Sequence, residues 1–137
     1  FFVENSPMYV SGRGEKMQKS NLSLEGKSVV LVKPNIRIST KEAYACVRPK
    51  PTEVDYEDLP DLRLWKDVLK NDFEDSLFPK YPVLSEIKQM LYDSGALYAS
   101  LSGSGATVFG IFGIFFFLAG SKRPSASSFF FNCSYAI

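Results

Sequence analysis

Blocks of apolar residues along the chain predict short β-strands. Residues 96–101 alternate larger and smaller side chains, and residues 107–112 are rich in β-branched and aromatic side chains, as in a half-buried strand. Ser28–Val32 is a continuous apolar run typical of a buried strand, and Pro34 ends it. Residues 1–4 and 8–11 indicate two more strands around a turn at residues 5–7. The glycines in residues 12–15 indicate a hairpin end or a bulge.

Capping signals and helical spacing predict helices between these strands. Ser39 or Thr40 would cap a helix that runs roughly to Val47. Asp61 would cap a second helix, whose apolar stripe consists of Leu64, Trp65, Val68 and Leu69. Residues 48–60, which separate the two, hold three prolines and four acidic residues and are predicted to form an exposed loop.

Two further helices are predicted before the last strands. Asn71 or Asp72 would cap a short helix. Pro82 stands where the first residue of the next helix is expected, and Gly95 provides its C-terminal cap. The elements together predict an α+β fold. In it a mostly antiparallel sheet is covered on one face by the helices at residues 61–69 and 82–93.

The last part of the chain has a different character. Residues 113–137 contain two phenylalanine triplets and two positive charges but no acidic residue, and they show neither a helical nor an alternating period. We therefore predict one domain over residues 1–112, followed by a tail at residues 113–137 that is not native to it. The alternative is a hydrophobic anchor or a tail that docks a partner.

Composition and charge exclude several classes of function. The 137 residues carry a formal net charge of +1, which gives no electrostatic reason to expect nucleic acid or an anionic membrane as partner. The sequence has no histidine, so Ser-His and Cys-His nucleophile pairs and histidine-ligated metals are excluded. Cys46 and Cys133 match no metal-binding spacing, and we expect no metal site. The longest apolar run, residues 108–119, is too short to cross a membrane, and no secretory signal is recognised, so we expect a cytoplasmic protein.

Glycine and serine alternate in residues 102–105, between the last two predicted strands; we call this segment the Gly/Ser loop. Glycine permits positive φ angles and a close approach of the backbone to a ligand, and such a turn can form a nest of N–H groups that binds anions. The alternative is a tight hairpin turn without a ligand. The loop matches neither a Walker motif nor a dinucleotide fingerprint.

Several motifs in order resemble the C-terminal half of the 4-diphosphocytidyl-2-C-methyl-D-erythritol kinases, a branch of the GHMP family of small-molecule kinases. The similar segments are residues 1–3 with 12–15, residues 31–34 with 39, 40 and 44, residues 71–74, and residues 102–106 with 108 and 109. The match covers about residues 1–112. The lysine, phosphate loop and catalytic aspartate of the family lie in its first half, so the resemblance implies no catalytic residue in this chain.

The resemblance also implies an activity and its partners. The whole enzyme would transfer the γ-phosphoryl group of ATP, with Mg²⁺, to the 2-hydroxyl of a cytidine diphosphate-linked polyol in non-mevalonate isoprenoid synthesis. The present chain would need a separate N-terminal half and would be inactive alone. The alternatives are another GHMP kinase, of mevalonate or homoserine type, and a non-enzymatic α+β module that docks a partner through its hydrophobic tail.

The resemblance assigns candidate binding residues. Tyr44 would stack on the cytosine ring, although an aromatic residue on a helix can equally belong to a core. The hydroxyl of Thr40 would bind substrate, cap its helix, or both. Gly103, Ser104 and Gly105 would support the phosphate loop of the other half rather than bind phosphate directly. For Asn71, Asp72 and Glu74, helix capping is favoured over Mg²⁺ ligation.

Overall fold

The computed structural model describes residues 7–48, 54–55 and 59–113 of the chain. Within these, strands and helices follow one another in a mixed order. The elements are β1 (Met8–Ser11), β2 (Lys16–Lys19), β3 (Ser28–Val32), α1 (Thr40–Cys46), a 3₁₀ turn (Leu62–Leu64), α2 (Trp65–Val68), α3 (Asp72–Leu77), α4 (Pro82–Asp93), β4 (Tyr98–Leu101) and β5 (Val108–Phe112). No helix among the described residues is long and apolar enough to cross a membrane.

The first two strands form an antiparallel hairpin, in which Val10 lies opposite Met17. Its turn contains Gly12 and Gly14 at φ angles of 69° and 104°, so the predicted hairpin end is confirmed. The strand β2 was not predicted, because all four of its side chains are exposed and it lacks the alternation that marks a half-buried strand. The predicted strand at residues 1–4 lies outside the described residues.

The other three strands form an antiparallel sheet in the order β3-β5-β4. In the register of this sheet Val30 and Ala99 both pair with Gly110 of the central strand, from opposite sides. The predicted α+β class and the antiparallel sheet are therefore confirmed.

Both faces of this sheet are covered, which corrects the prediction of helices on one face. Tyr98 packs against Trp65 of α2, whereas the next residue, Ala99, belongs to the core beneath α4. Successive residues of a strand point to opposite faces, so α2 and α4 lie on different sides. The larger core, on the α4 side, consists of Val32, Ala43, Leu77, Leu84, Ile87, Leu91, Ala99, Leu101, Ala106, Val108 and Phe112.

The caps of the helices largely follow the sequence signals. Ser39 caps α1 and accepts the N–H of Glu42 at 3.1 Å, which settles the choice between Ser39 and Thr40. Pro82 begins α4 as predicted. Asp61 is a cap, but the segment that follows is a 3₁₀ turn joined to one short α-helix rather than a continuous helix.

Candidate functional site

The predicted binding elements meet around the first turn of α3. This turn has the sequence Asn71-Asp72-Phe73-Glu74, and it lies between the Gly/Ser loop and the exposed side of α1. Asn71 contacts the Gly/Ser loop, Phe73 contacts α1, and Glu74 contacts the end of β4 and α4. The structure thus brings together residues that are about thirty positions apart in the sequence.

The Gly/Ser loop is a tight turn between β4 and β5. Gly105 donates its N–H to the carbonyl of Ser102 at 3.0 Å, and Ser102 donates to the carbonyl of Thr107 at 2.8 Å. Gly103 and Gly105 have φ angles of 55° and 86°, in the region that favours glycine. The geometry therefore confirms the tight turn and explains both glycines without a ligand.

The side chain of Asn71 is hydrogen-bonded to the backbone of the Gly/Ser loop and of the strand before it. Its Nδ2 donates to the carbonyl oxygens of Leu101, at 2.8 Å, and Gly103, at 2.9 Å. At the same time its Oδ1 accepts the N–H of Phe73 at 3.0 Å and so caps α3. Of the two predicted caps, Asn71 is the one that the structure shows. Both donors and the acceptor of one amide are thereby used within the fold.

Glu74 is a buried carboxylate that holds the same strand end. Only 4% of its surface is exposed. Its Oε1 accepts from the hydroxyl of Ser100 at 3.0 Å and from the N–H of Leu101 at 2.9 Å, and its Oε2 lies 2.6 Å from the Nζ of Lys88. The burial of this charge is compensated by one ion pair and two hydrogen bonds. Glu74 is thus a structural anchor of the strand end, whereas the helix capping favoured for it is not observed, because its carboxylate is used by Ser100, Leu101 and Lys88.

Together these two residues take the place of a neighbouring strand at the edge of the sheet. In an antiparallel strand the N–H and C=O groups of one residue point to the same side. Leu101 donates to Glu74 and accepts from Asn71, so both of its backbone groups are satisfied by side chains of one helical turn. The last backbone groups at the free edge of β4 therefore have hydrogen-bond partners, and the point at which the Gly/Ser loop begins is fixed.

Tyr44 and Thr40 lie on the exposed side of α1. Tyr44 is 63% exposed, which contradicts the alternative of a core aromatic residue. Its ring meets that of Phe73 edge-on, with centroids 5.0 Å apart. Thr40 is exposed at the first position of the helix, where Ser39 already provides the cap, so the capping role predicted for Thr40 is not observed.

Polar contacts on α1 fix its position against the segment before α4. Tyr81 donates its hydroxyl to Glu42 at 3.0 Å, and Lys80 lies 3.1 Å from the sulfur of Cys46. The hydrogen bond to Glu42 raises the pKa of Tyr81, and the contact with Cys46 raises the pKa of Lys80. These contacts orient the helix that carries Tyr44.

The exposed groups of this surface, the ring of Tyr44 and the hydroxyl of Thr40, can bind a ligand by stacking and by hydrogen bonds. Among the described residues no group of three or more histidine, cysteine, aspartate or glutamate side chains could hold a metal ion. Two grooves of the described surface lie elsewhere, one lined by Arg63, Lys66 and Lys88 and the other by Leu22, Leu59 and Trp65. Tyr44 and Thr40 are exposed, and neither of them lines one of these two grooves.

Sequence reasoning missed three contributions to this surface. It assigned no role to Phe73, and for Asn71 and Glu74 it favoured only helix capping. The sequence did indicate the cap, since asparagine is a strong N-cap residue. It did not indicate the bonds of Asn71 to Leu101 and Gly103, which span 30 and 32 positions. No local pattern can report contacts at that separation.

Comparisons with known proteins agree with the resemblance to GHMP kinases that the sequence motifs indicate. The family model described as "GHMP kinases C terminal" matches residues 56–128, which extends beyond the predicted domain end at residue 112. A 4-diphosphocytidyl-2-C-methyl-D-erythritol kinase of Parabacteroides distasonis is 44% identical over 82% of the chain, and one of Bacteroides thetaiotaomicron is 43% identical over the same share. The chain spans 42% of the length of each relative.

Solved structures agree with the fold. A crystal structure of 4-(cytidine 5'-diphospho)-2C-methyl-D-erythritol kinase matches 80% of the chain with a TM-score of 0.59 and 25% identity, over 41% of its own length. A homoserine kinase from Cytophaga hutchinsonii matches 76% of the chain, over 38% of its own length, with a TM-score of 0.54 and 17% identity, and supports the fold alone. With the family model and these likenesses in agreement, the chain belongs to the GHMP kinase family, of which it carries the C-terminal domain.

Proposed function

We propose that this chain is the substrate-side part of an ATP-dependent kinase that phosphorylates the 2-hydroxyl of 4-diphosphocytidyl-2-C-methyl-D-erythritol. The observation that carries the proposal is the meeting of an exposed aromatic ring, Tyr44, and the Gly/Ser loop at one helical turn. The curated relatives at 44% and 43% identity, which are named as kinases of this compound, support it.

In this proposal Tyr44 binds the base of the substrate. Its exposed ring offers a flat face for stacking, and the edge contact with Phe73 limits the orientations that the ring can take. The exposed hydroxyl of Thr40, one helical turn before Tyr44, is a donor and acceptor for the polar groups next to the base. These residues would bind and orient the acceptor substrate, not activate it.

The phosphoryl-transfer machinery would come from a separate N-terminal half. In this proposal that half also holds ATP and Mg²⁺, which this chain would bind weakly or not at all, since Mg²⁺ is usually bound by one or two carboxylates together with the phosphates of the nucleotide. The Gly/Ser loop would lie beside the phosphate loop of that half, where its glycines allow a close approach of two backbones. We therefore expect the chain alone to be inactive.

Reconstitution tests this proposal. The chain would be assayed alone and after co-expression with the N-terminal part of the Parabacteroides distasonis kinase, with ATP and the cytidyl substrate, by mass spectrometry of the product. We expect phosphorylation only in the co-expressed sample. Phosphorylation by the pure chain would refute the claim that it is inactive alone.

The acceptor needs its own control. Mevalonate and homoserine would be offered to the same complex, since kinases of either type remain the enzymatic alternatives. A complex that phosphorylates one of these and not the cytidyl compound would overturn the substrate assignment.

The role proposed for Tyr44 would be tested in the same complex with the variant Tyr44→Ala. Tyr44→Phe is its matched control, because it keeps the stacking ring and removes only the hydroxyl.

A further inference from the structure

We infer that Asn71 is a positioning residue of the kinase. Its side chain fixes the backbone conformation in which the Gly/Ser loop meets the nucleotide, an inference that rests on the proposed function. Asn71 does not touch any reacting group. Its amide instead holds two carbonyl oxygens, at Leu101 and Gly103, that lie on either side of Ser102. A plain N-cap needs only the oxygen of this side chain, so the donated bonds serve something other than the helix.

The bond to Gly103 determines the direction of the next N–H group. In a trans peptide the C=O of one residue and the N–H of the following residue point in opposite directions. Because the Gly103 carbonyl points at Asn71, the N–H of Ser104 points away from α3. Within the described part of the chain this N–H donates to no other group. Asn71 therefore presents a backbone donor, of the kind that anionic oxygens accept.

The two functions of Asn71 can be separated by substitution. Serine is also a good N-cap, but its short side chain cannot supply the two amide protons. Asn71→Ser thus keeps the helix cap and removes the hydrogen bonds to the carbonyls of Leu101 and Gly103. The matched control is Asp61→Ser, which makes a similar change at the cap of the 3₁₀ turn, where the Asp61 side chain accepts the N–H of Arg63. Asn71→Asp is the second variant, in case the serine variant is poorly folded.

The first measurement uses the chain itself and needs no activity. Amide hydrogen exchange would be followed by NMR at Gly105, whose N–H bonds within the loop, and at Leu101, whose N–H is held by Glu74. We expect Asn71→Ser to speed exchange at Gly105 about tenfold and to change Leu101 by less than about twofold. Asp61→Ser should change neither. Unchanged exchange at Gly105 would overturn the inference.

The second measurement uses the reconstituted kinase. We expect Asn71→Ser to raise the KM for ATP about tenfold while the KM for the cytidyl substrate stays within about twofold. A merely structural role would lower the active fraction and leave both KM values unchanged, which would also overturn the inference. An inactive wild-type complex would reject the proposed function instead, and the exchange at Gly105 would still decide whether Asn71 shapes the loop.

Discussion

The carboxylate of Glu74 accepts the backbone N–H of Leu101 at 2.9 Å, across 27 positions of sequence. It does so while buried and paired with Lys88, so a single side chain joins α3, α4 and the end of β4. An N–H at the edge of a sheet usually needs water or another strand. Here it has a charged acceptor, which makes the stronger kind of hydrogen bond.

Removal of this carboxylate should destabilise the domain. Glu74→Ala leaves the Leu101 N–H and the Lys88 ammonium without their partner, and we expect a loss of about 3 kcal/mol in the free energy of unfolding. Asp75→Ala is the control, because its ion pair with Lys70 is exposed and should contribute less than about 1 kcal/mol. Urea unfolding measures both, and equal losses would contradict the role assigned to Glu74.

Substitution of Gly105 should strain the loop. At a φ of 86° an added Cβ is unfavourable, and it would lie 3.4 Å from side-chain carbons of Ile38 and Leu101. We expect Gly105→Ala to cost about 1–2 kcal/mol of stability. No atom of the described residues would lie within 4 Å of a Cβ added at Gly113, so Gly113→Ala should change stability by less than about 0.5 kcal/mol. Thermal unfolding of both variants checks this, and a neutral Gly105→Ala would show that the turn tolerates side chains.

Tyr44 should contribute to ligand binding and little to stability. Its side chain is largely exposed, so Tyr44→Ala should lower the free energy of unfolding by less than about 1 kcal/mol. In the reconstituted kinase we expect the same variant to weaken binding of cytidine diphosphate by about 1–3 kcal/mol, and Tyr44→Phe to retain it. Titration calorimetry measures the affinity. Equal affinity for Tyr44→Ala and the wild type would remove Tyr44 from the site.

The Tyr92 hydroxyl should make stability depend on alkaline pH. It donates to the Ala99 carbonyl at 3.2 Å, and burial raises its pKa above the ordinary value near 10. The folded state therefore holds this proton more tightly than the unfolded state. The contribution of this protonated hydroxyl to the free energy of unfolding is fully present below about pH 10. It is lost as the pH rises through the pKa of Tyr92 in the folded state.

Tyr92→Phe removes that titration and provides the test. Unfolding by urea would be measured from about pH 8 to about pH 11 for both proteins. We expect the stability of the wild type to fall more steeply above about pH 10 than that of the variant, which lacks the titrating hydroxyl. Parallel curves would mean that Tyr92 titrates alike in the folded and unfolded states.

Local signals in the sequence determined most of the elements. Ser39, Asn71 and Pro82 begin their helices where capping chemistry places them, because a cap depends only on the next three or four residues. The strands β3, β4 and β5 were predicted from apolar runs. The Gly/Ser loop was located because positive φ angles favour glycine. The same short motifs were sufficient to identify the GHMP family.

Only the tertiary structure decided how these elements are used. The strand β2 exists because it pairs with β1, although its exposed side chains show no alternation. The position of α2 on the face opposite α4 follows from the contact of Trp65 with Tyr98. Asn71 and Glu74 hold a strand end about thirty positions away. Such contacts depend on how the whole chain packs, and that information is not contained in any window of neighbouring residues.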